Sequence, residues 1–190
     1  KIASDPFLDQ LCYMRVYSGH VKAGSVILNT RTGKRERLQK IFLMKSSSRI
    51  EVDSAQAGDI VATAGLKQVA TGDTLADQKD PVRFESVHFP EPVIYIAIEP
   101  KSTSDNSKLL KSLTRLQAED PSFSFKEDHD TAQLLIGGMG ELHLEVVVDR
   151  LRREFRVGCN TGAPKVAYRE TISTAVTCED VLDREVAGKM

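Results

Sequence analysis

Residues 132–145, Ala-Gln-Leu-Leu-Ile-Gly137-Gly138-Met139-Gly140-Glu141-Leu142-His143-Leu144-Glu145, read as a strand running through glycines into an amphipathic helix. Glycine tolerates backbone angles that other residues avoid, so Gly137, Gly138 and Gly140 suit a sharp strand-to-helix turn. Beyond the turn, Leu144, Val147, Val148, Leu151 and Phe155 recur at helical spacing. That stripe predicts a helix over 141–155 packed on a sheet. His143, Val146 and Arg150 share a neighbouring face. Two readings of it stand: His143 closes the core edge while Arg150 pairs with Glu154 or Glu145, or the face is open to another domain or a ligand. Glu141 in the first turn and Arg152-Arg153 near the last suit the helix dipole and carry no catalytic assignment.

Working outward, 93–100 is a clear strand, and Asp105 is the expected N-cap of a helix carrying Leu109, Leu110, Leu113 and Leu116. Glu119-Asp120-Pro121 ends that helix. Strands are expected at 123–126 and 131–136, turning at Asp128-His129-Asp130, and a last one at Val166-Ala167-Tyr168. The order strand, helix, strand, strand, helix, strand is that of a ferredoxin-like βαββαβ domain. Upstream, Phe89-Pro90-Glu91-Pro92 breaks the pattern and marks a boundary. From Leu11 to about Phe84 the chain reads as short strands, at 11–18, 25–29, 38–44, 60–62 and 68–70, separated by glycine turns. Such spacing without a helical period favours a closed antiparallel barrel, which leaves no sticky edges. The fold class is therefore multidomain: an all-β barrel over 1–88, an α+β domain over 89–168, and a stub of a further domain over 169–190.

The 190 residues carry 41% hydrophobic and 28% charged side chains, the balance of a globular protein. No apolar run reaches the ~20 residues of a membrane span, so no membrane partner is expected. The start, Lys1-Ile2-Ala3-Ser4, has neither a signal-peptide pattern nor an initiating methionine, which reads as a piece of a longer protein. Cys12, Cys159 and Cys178 lack CxxC spacing and read as reduced thiols. The net charge of -1 makes no global demand for nucleic acid, but the charge is uneven. Arg31, Lys34, Arg35, Arg37, Lys40, Lys45 and Arg49 gather over 31–49 against Glu36 alone, which suits either a polyanion or a solvated hairpin face.

Catalytic signatures do not occur. The sequence contains no GxxxxGK[ST], HExxH or GxSxG, and the four histidines form no metal-ligand spacing. Neither a catalytic centre, nor a metal site, nor a cofactor is expected within these residues.

Several stretches, in order, resemble the elongation factor G family of translational GTPases. Arg15-Val16-Tyr17-Ser18-Gly19, Asn29-Thr30-Arg31-Thr32-Gly33-Lys34, Ala57-Gly58-Asp59, Gly65-Leu66-Lys67 and Thr71-Gly72-Asp73-Thr74-Leu75 resemble its second, barrel domain. Ala97-Ile98-Glu99-Pro100-Lys101, Glu119-Asp120-Pro121-Ser122-Phe123 and Gly138-Met139-Gly140-Glu141-Leu142-His143-Leu144-Glu145 resemble its third. Ala167-Tyr168-Arg169-Glu170-Thr171-Ile172 extends the resemblance to the start of the fourth. An AGD barrel motif alone is weak; the ordered set is specific. The GTPase domain, the beginning of the barrel, most of the fourth domain and the fifth are expected to be missing.

The resemblance implies a fragment of a ribosomal translocase that docks on the ribosome and relays the state of a GTPase domain. The fragment would not be an enzyme, whereas its parent would be a GTPase using GTP and magnesium. The implied partners are small-subunit ribosomal RNA and protein and the absent GTPase domain. The expected setting is a monomer in the cytoplasm, the bacterial cytosol ahead of an organellar matrix. Arg31, Lys34, Arg35, Arg37, Lys45 and Arg49 become candidate RNA contacts of the salt-sensitive, sequence-blind kind. In the family, fusidic acid binds between the GTPase and third domains, and the wall implied here is Asp120, Ser122, Leu142, His143 and Arg150. Ser122 stands where the family often has threonine, keeping the hydroxyl and losing a methyl. With half of that pocket on another domain, the drug is not expected to bind this piece. Two alternatives remain: a ribosome recycling or protection paralogue, and a self-standing RNA-binding module. The missing barrel start argues against the module.

Overall fold

The computed structural model of the protein describes residues 1–5, 7–46 and 48–181. The strands of the first domain are β1 (Ile2–Asp5), β2 (Asp9–Arg15), β3 (His20–Lys22), β4 (Val26–Asn29), β5 (Lys34–Arg37), β6 (Ile41–Lys45), β7 (Ser48–Val52), β8 (Ser54–Gln56), β9 (Ile60–Ala64) and β10 (Leu75–Ala76). They pair antiparallel in three sheets, ordered β1-β2-β9-β6-β7, β10-β4-β5 and β3-β8. Alternation along the strands gives the five-stranded sheet two apolar faces. Ile41 and Val61 pack on one side with Ala55, and Leu11, Phe42 and Ala62 pack on the other. Cys12 and Ile2 meet Leu38 and Leu66 in a third cluster, which joins this sheet to the β4 region. The sheet curls, because its two edge strands approach each other: Arg49 on β7 reaches Asp5 on β1 at 3.2 Å.

The barrel motifs turn out to be a buried hydrogen-bond network. Asn29, fully buried, donates through Nδ2 to the Gln68 carbonyl (2.9 Å) and to Asp73 Oδ2 (2.8 Å). Its Oδ1 accepts from the amides of Arg31 (3.0 Å) and Thr32 (3.3 Å), which shapes the turn into β5. Asp73 also takes the amide of Ala70 at 2.9 Å. Buried polar groups need such partners, so the Asn-Thr-Arg-Thr-Gly and Thr-Gly-Asp-Thr stretches fold as one unit across 44 positions of sequence.

The second domain runs β11 (Ile94–Pro100), α1 (Thr103–Glu119), β12 (Ser124–Glu127), β13 (Leu134–Gly138), α2 (Glu141–Arg153) and β14 (Cys159–Gly162). The sheet order β12-β13-β11-β14 is the ferredoxin-like split arrangement, with both helices packed on it. Its core gathers Leu109, Leu113 and Leu116 of α1 and Leu144, Val147, Val148 and Leu151 of α2 over Ile98, Ile136 and Cys159. Phe123 is also fully enclosed, and Phe155 packs at the margin.

Several expectations are corrected. Residues 68–70 form no strand, because their backbone is spent on turns that Glu36 and Asp73 hold. The strand expected over 38–44 is shorter and starts later: a fully buried Leu38 lies in the connection after β5, and β6 begins only at Ile41. The helix expected from Asp105 starts earlier, with Ser102 as N-cap, Asp105 in the first turn and Leu110 41% exposed. The last strand is β14 rather than 166–168. Cys159 is fully buried, and 159–162 take the free edge of β11, whereas Val166 and Tyr168 are exposed. Residues 163–181 form no regular element; they touch the connection between β12 and β13, where Lys165 donates its amide to Gln133 (2.7 Å) and Arg169 meets Asp130 (2.6 Å). Within the stub expected over 169–190, residues 182–190 lie outside the described residues.

Candidate functional site

Two glycines of the opening stretch, Gly137 and Gly138, are needed for space, not for unusual backbone angles. Gly137 and Gly138 belong to β13, and Gly140 is the extended N-cap residue of α2 (φ 169°). A Cβ on Gly137 would lie 2.6 Å from Tyr95 Cε1, 2.9 Å from Ser124 Oγ and 3.0 Å from Pro92 Cβ. On Gly138 it would lie 2.8 Å from Leu144 Cδ2 and 3.1 Å from His143 Nδ1. The strand thus approaches its neighbours and the first turn of α2 more closely than any side chain permits. That approach sets the position of His143.

His143 Nδ1 accepts the amide of Met139 at 3.1 Å, so the ring's hydrogen sits on Nε2, aimed at Asp120 Oδ2 3.3 Å away. The ring edge meets Phe123, centroids 6.5 Å apart. Asp120, just after α1, accepts from the Ser122 hydroxyl (2.6 Å) and amide (2.9 Å). Burial works to raise its carboxyl, but these hydrogen bonds and His143 hold it below the usual carboxylate range. Two turns along α2, Arg150 binds Glu154 as expected, through Nη2 at 2.9 Å. It also reaches Glu119 at 2.8 Å, a partner that spacing along one helix could not reveal. Beside this polar cluster α2 presents Leu142, 73% exposed, with Val146 and Met139 also exposed. Asp120, Ser122, His143 and Arg150 therefore form one connected surface, and Leu142 is its outward apolar neighbour.

The basic strip is divided rather than continuous. Arg31 is held by Asp73 (2.5 Å), Lys40 by Glu51 (2.8 Å) and Arg49 by Asp5, with the Arg49 guanidinium also over the Phe7 ring. Arg37 donates to the Gly24 carbonyl at 3.2 Å. Among the described residues, Lys34, Arg35 and Lys45 are exposed without a carboxylate partner, the first two on β5 and the third on β6. The structure adds a residue that the strip did not contain. Glu36 accepts the amides of Lys67 (2.8 Å) and Gln68 (2.9 Å), and this clip brings Lys67 beside Lys34, Arg35 and Arg37 around a shallow groove of about 270 Å³. The pairing of Glu36 with a loop 31 residues away left no local signal in the sequence.

A cleft of about 380 Å³ lies between the domains, lined by Thr71–Thr74 of the barrel, Phe84 and Val87 of the connection, and Gln117 of α1. Among the described residues, no three histidine, cysteine or acidic side chains come together as a metal site. None of the described helices is long and apolar enough to cross a membrane.

Residues 89–163 match the family model described as Elongation Factor G, domain III, and residues 9–76 match that of Elongation factor Tu domain 2. Among solved structures, the chain is similar to a crystal structure from Thermus thermophilus, with 30% identity and a TM-score of 0.76 over 87% of this chain. The chain spans only 25% of the length of that protein.

Proposed function

From a chain that belongs to the elongation factor G type of translational GTPase and carries its domains II and III, we propose a ribosome-docking and relay function in translocation. The barrel would contact small-subunit RNA, and the α+β domain would meet the GTPase domain of a longer parent. The observation that carries this reading is the α2 face. An exposed Leu142 stands beside His143 and Arg150, whose side chains are fixed by Met139, Asp120 and Glu119. An isolated surface has no need to hold polar groups so firmly next to an open apolar side chain, whereas an interface gains from that preorganisation. The same face would supply one wall of a fusidic acid pocket, through Asp120, Ser122, Leu142, His143 and Arg150.

RNA contact would fall to Lys34, Arg35, Lys67 and Lys45, exposed barrel cations without a carboxylate partner among the described residues. Such contacts fix orientation on a phosphate backbone without reading bases. Arg31, Arg37 and Arg49 would act mainly by holding the barrel's shape. GTP and magnesium would be bound by the parent's GTPase domain. This sequence has no phosphate-cradling glycine loop, and no step proposed for these domains runs through the nucleotide.

The test is crosslinking of the purified chain to ribosomes with increasing intact elongation factor G as competitor. Crosslinks from the β5 and β6 lysines to small-subunit RNA that the competitor abolishes are expected. Crosslinks that ignore the competitor would overturn the docking assignment and leave the barrel only generically attracted to RNA.

A further inference from the structure

The two domains meet where the edge strand of the barrel would otherwise be bare. β1 pairs on one side with β2, and its other side presents the amides of Ile2 and Ser4. An edge with free donors invites pairing with other chains unless something covers it. Here side chains cover it. The Ile2 amide donates to Thr71 Oγ1 at 3.1 Å, and Thr71 in turn donates to the Ala118 carbonyl at 3.4 Å in the last turn of α1. The Ser4 amide donates to Glu119 Oε1 of the second domain. The other carboxylate oxygen of Glu119 takes Arg150 of α2 at 2.8 Å.

Glu119 is therefore a three-way junction, with its side chain only 11% exposed. One oxygen serves as a strand partner for the barrel and the other holds the arginine of the α2 face. Burial works to raise its carboxyl, but Ser4 and Arg150 bring it below the ordinary range, as expected of an acceptor of both contacts. Arg150 is also shared with Glu154, so it has a second carboxylate to turn to.

We propose that Glu119 is a positioning residue that couples occupancy of the α2 face to the angle between the barrel and the α+β domain. The idea rests on the reading of that face as a docking surface. A partner that draws Arg150 outward removes the cation that fixes Glu119, the Ser4 contact loosens, and the barrel is freed to turn about the remaining Thr71 contact. Coupling of this kind requires that the two arrangements differ in contacts, and the shared carboxylate supplies the difference.

The coupling can be tested in the 190-residue chain without any partner, so its outcome is independent of whether α2 docks a GTPase domain. Spin labels at Ser18→Cys in the barrel and Lys108→Cys on α1, in a Cys178→Ser background, report the interdomain distance by double electron–electron resonance. A narrow distribution is expected for this parent. Arg150→Ala mimics withdrawal of the arginine and should broaden or shift the distribution, as should Glu119→Ala. Glu119→Gln keeps an acceptor for the Ser4 amide and should restore much of the parental distribution. Ser4→Pro, which removes what Ser4 donates to Glu119 on the outer side of β1, should match Glu119→Ala without disturbing α2. Melting of each variant by circular dichroism separates loosening from unfolding. An unchanged distribution in Glu119→Ala and Ser4→Pro would overturn the junction. A change in these two with none in Arg150→Ala would overturn the coupling to the α2 face.

Discussion

Replacing Gly137 with alanine is the sharpest test of why the glycine-rich turn exists. If the glycines served backbone flexibility, a single methyl on a residue with ordinary strand geometry would be harmless. The structure predicts harm, because that methyl would sit 2.6 Å from Tyr95 Cε1, 2.9 Å from Ser124 Oγ and 3.0 Å from Pro92 Cβ. These atoms belong to three residues on two different segments, so no single rotation relieves all of them. Overpacking of this kind costs about 2 kcal/mol. For a domain of this size that lowers the melting temperature by roughly 8–16 °C. Gly140→Ala is the control. Its Cβ meets nothing within 4 Å, and its extended backbone suits any residue. There the weaker capping by alanine and the lower entropy of the unfolded chain oppose each other, leaving a change within about 0.5 kcal/mol. Urea and thermal unfolding of both variants measure the difference. Equal stability of Gly137→Ala and the parent would refute the close-approach argument, and a large loss in Gly140→Ala would restore the flexible-turn reading.

Three further outcomes are expected. Asp73 is held below the usual carboxylate range: burial opposes this, but Arg31, Ala70 and Asn29 outweigh it. A lowered folded-state value adds stability at neutral pH that is lost as pH falls through the acid range below about 4, so Asp73→Asn should flatten the acid limb of barrel unfolding. An acid limb as steep as the parent's would count against the network. Substituting Lys34 and Lys67 together by glutamine should reduce the salt slope of RNA binding by roughly 1 per residue, while Arg49→Gln should lower stability more than the slope. The reverse pattern in filter-binding and melting data would reassign the roles. Leu142→Ser should leave stability within about 0.5 kcal/mol, since the side chain is 73% exposed, yet weaken docking of a GTPase domain supplied in trans. Unaltered association would argue that the α2 face is not the contact.

Local chemistry alone determined much of this protein. The 3.6-residue stripe Leu144, Val147, Val148 and Leu151 named the buried face of α2, and short apolar runs between turn signals placed β2, β9 and β11, because such patterns follow from the geometry of one element. The Asx turn at Asp128, which accepts the amides of Asp130 and Thr131, was likewise legible from three adjacent residues. Only the tertiary structure decided what depends on distant partners. It took Arg31, Lys40 and Arg49 out of the basic strip by pairing them with Asp73, Glu51 and Asp5, and brought Lys67 in. The last strand became 159–162 because Cys159 fits the core and β11 had an edge to fill. Glu119, which looked like the end of a helix, became the junction of two domains. Periodicity and turn chemistry act over a few residues, but the fate of a charge or a strand edge depends on what the fold brings within about 3 Å of it.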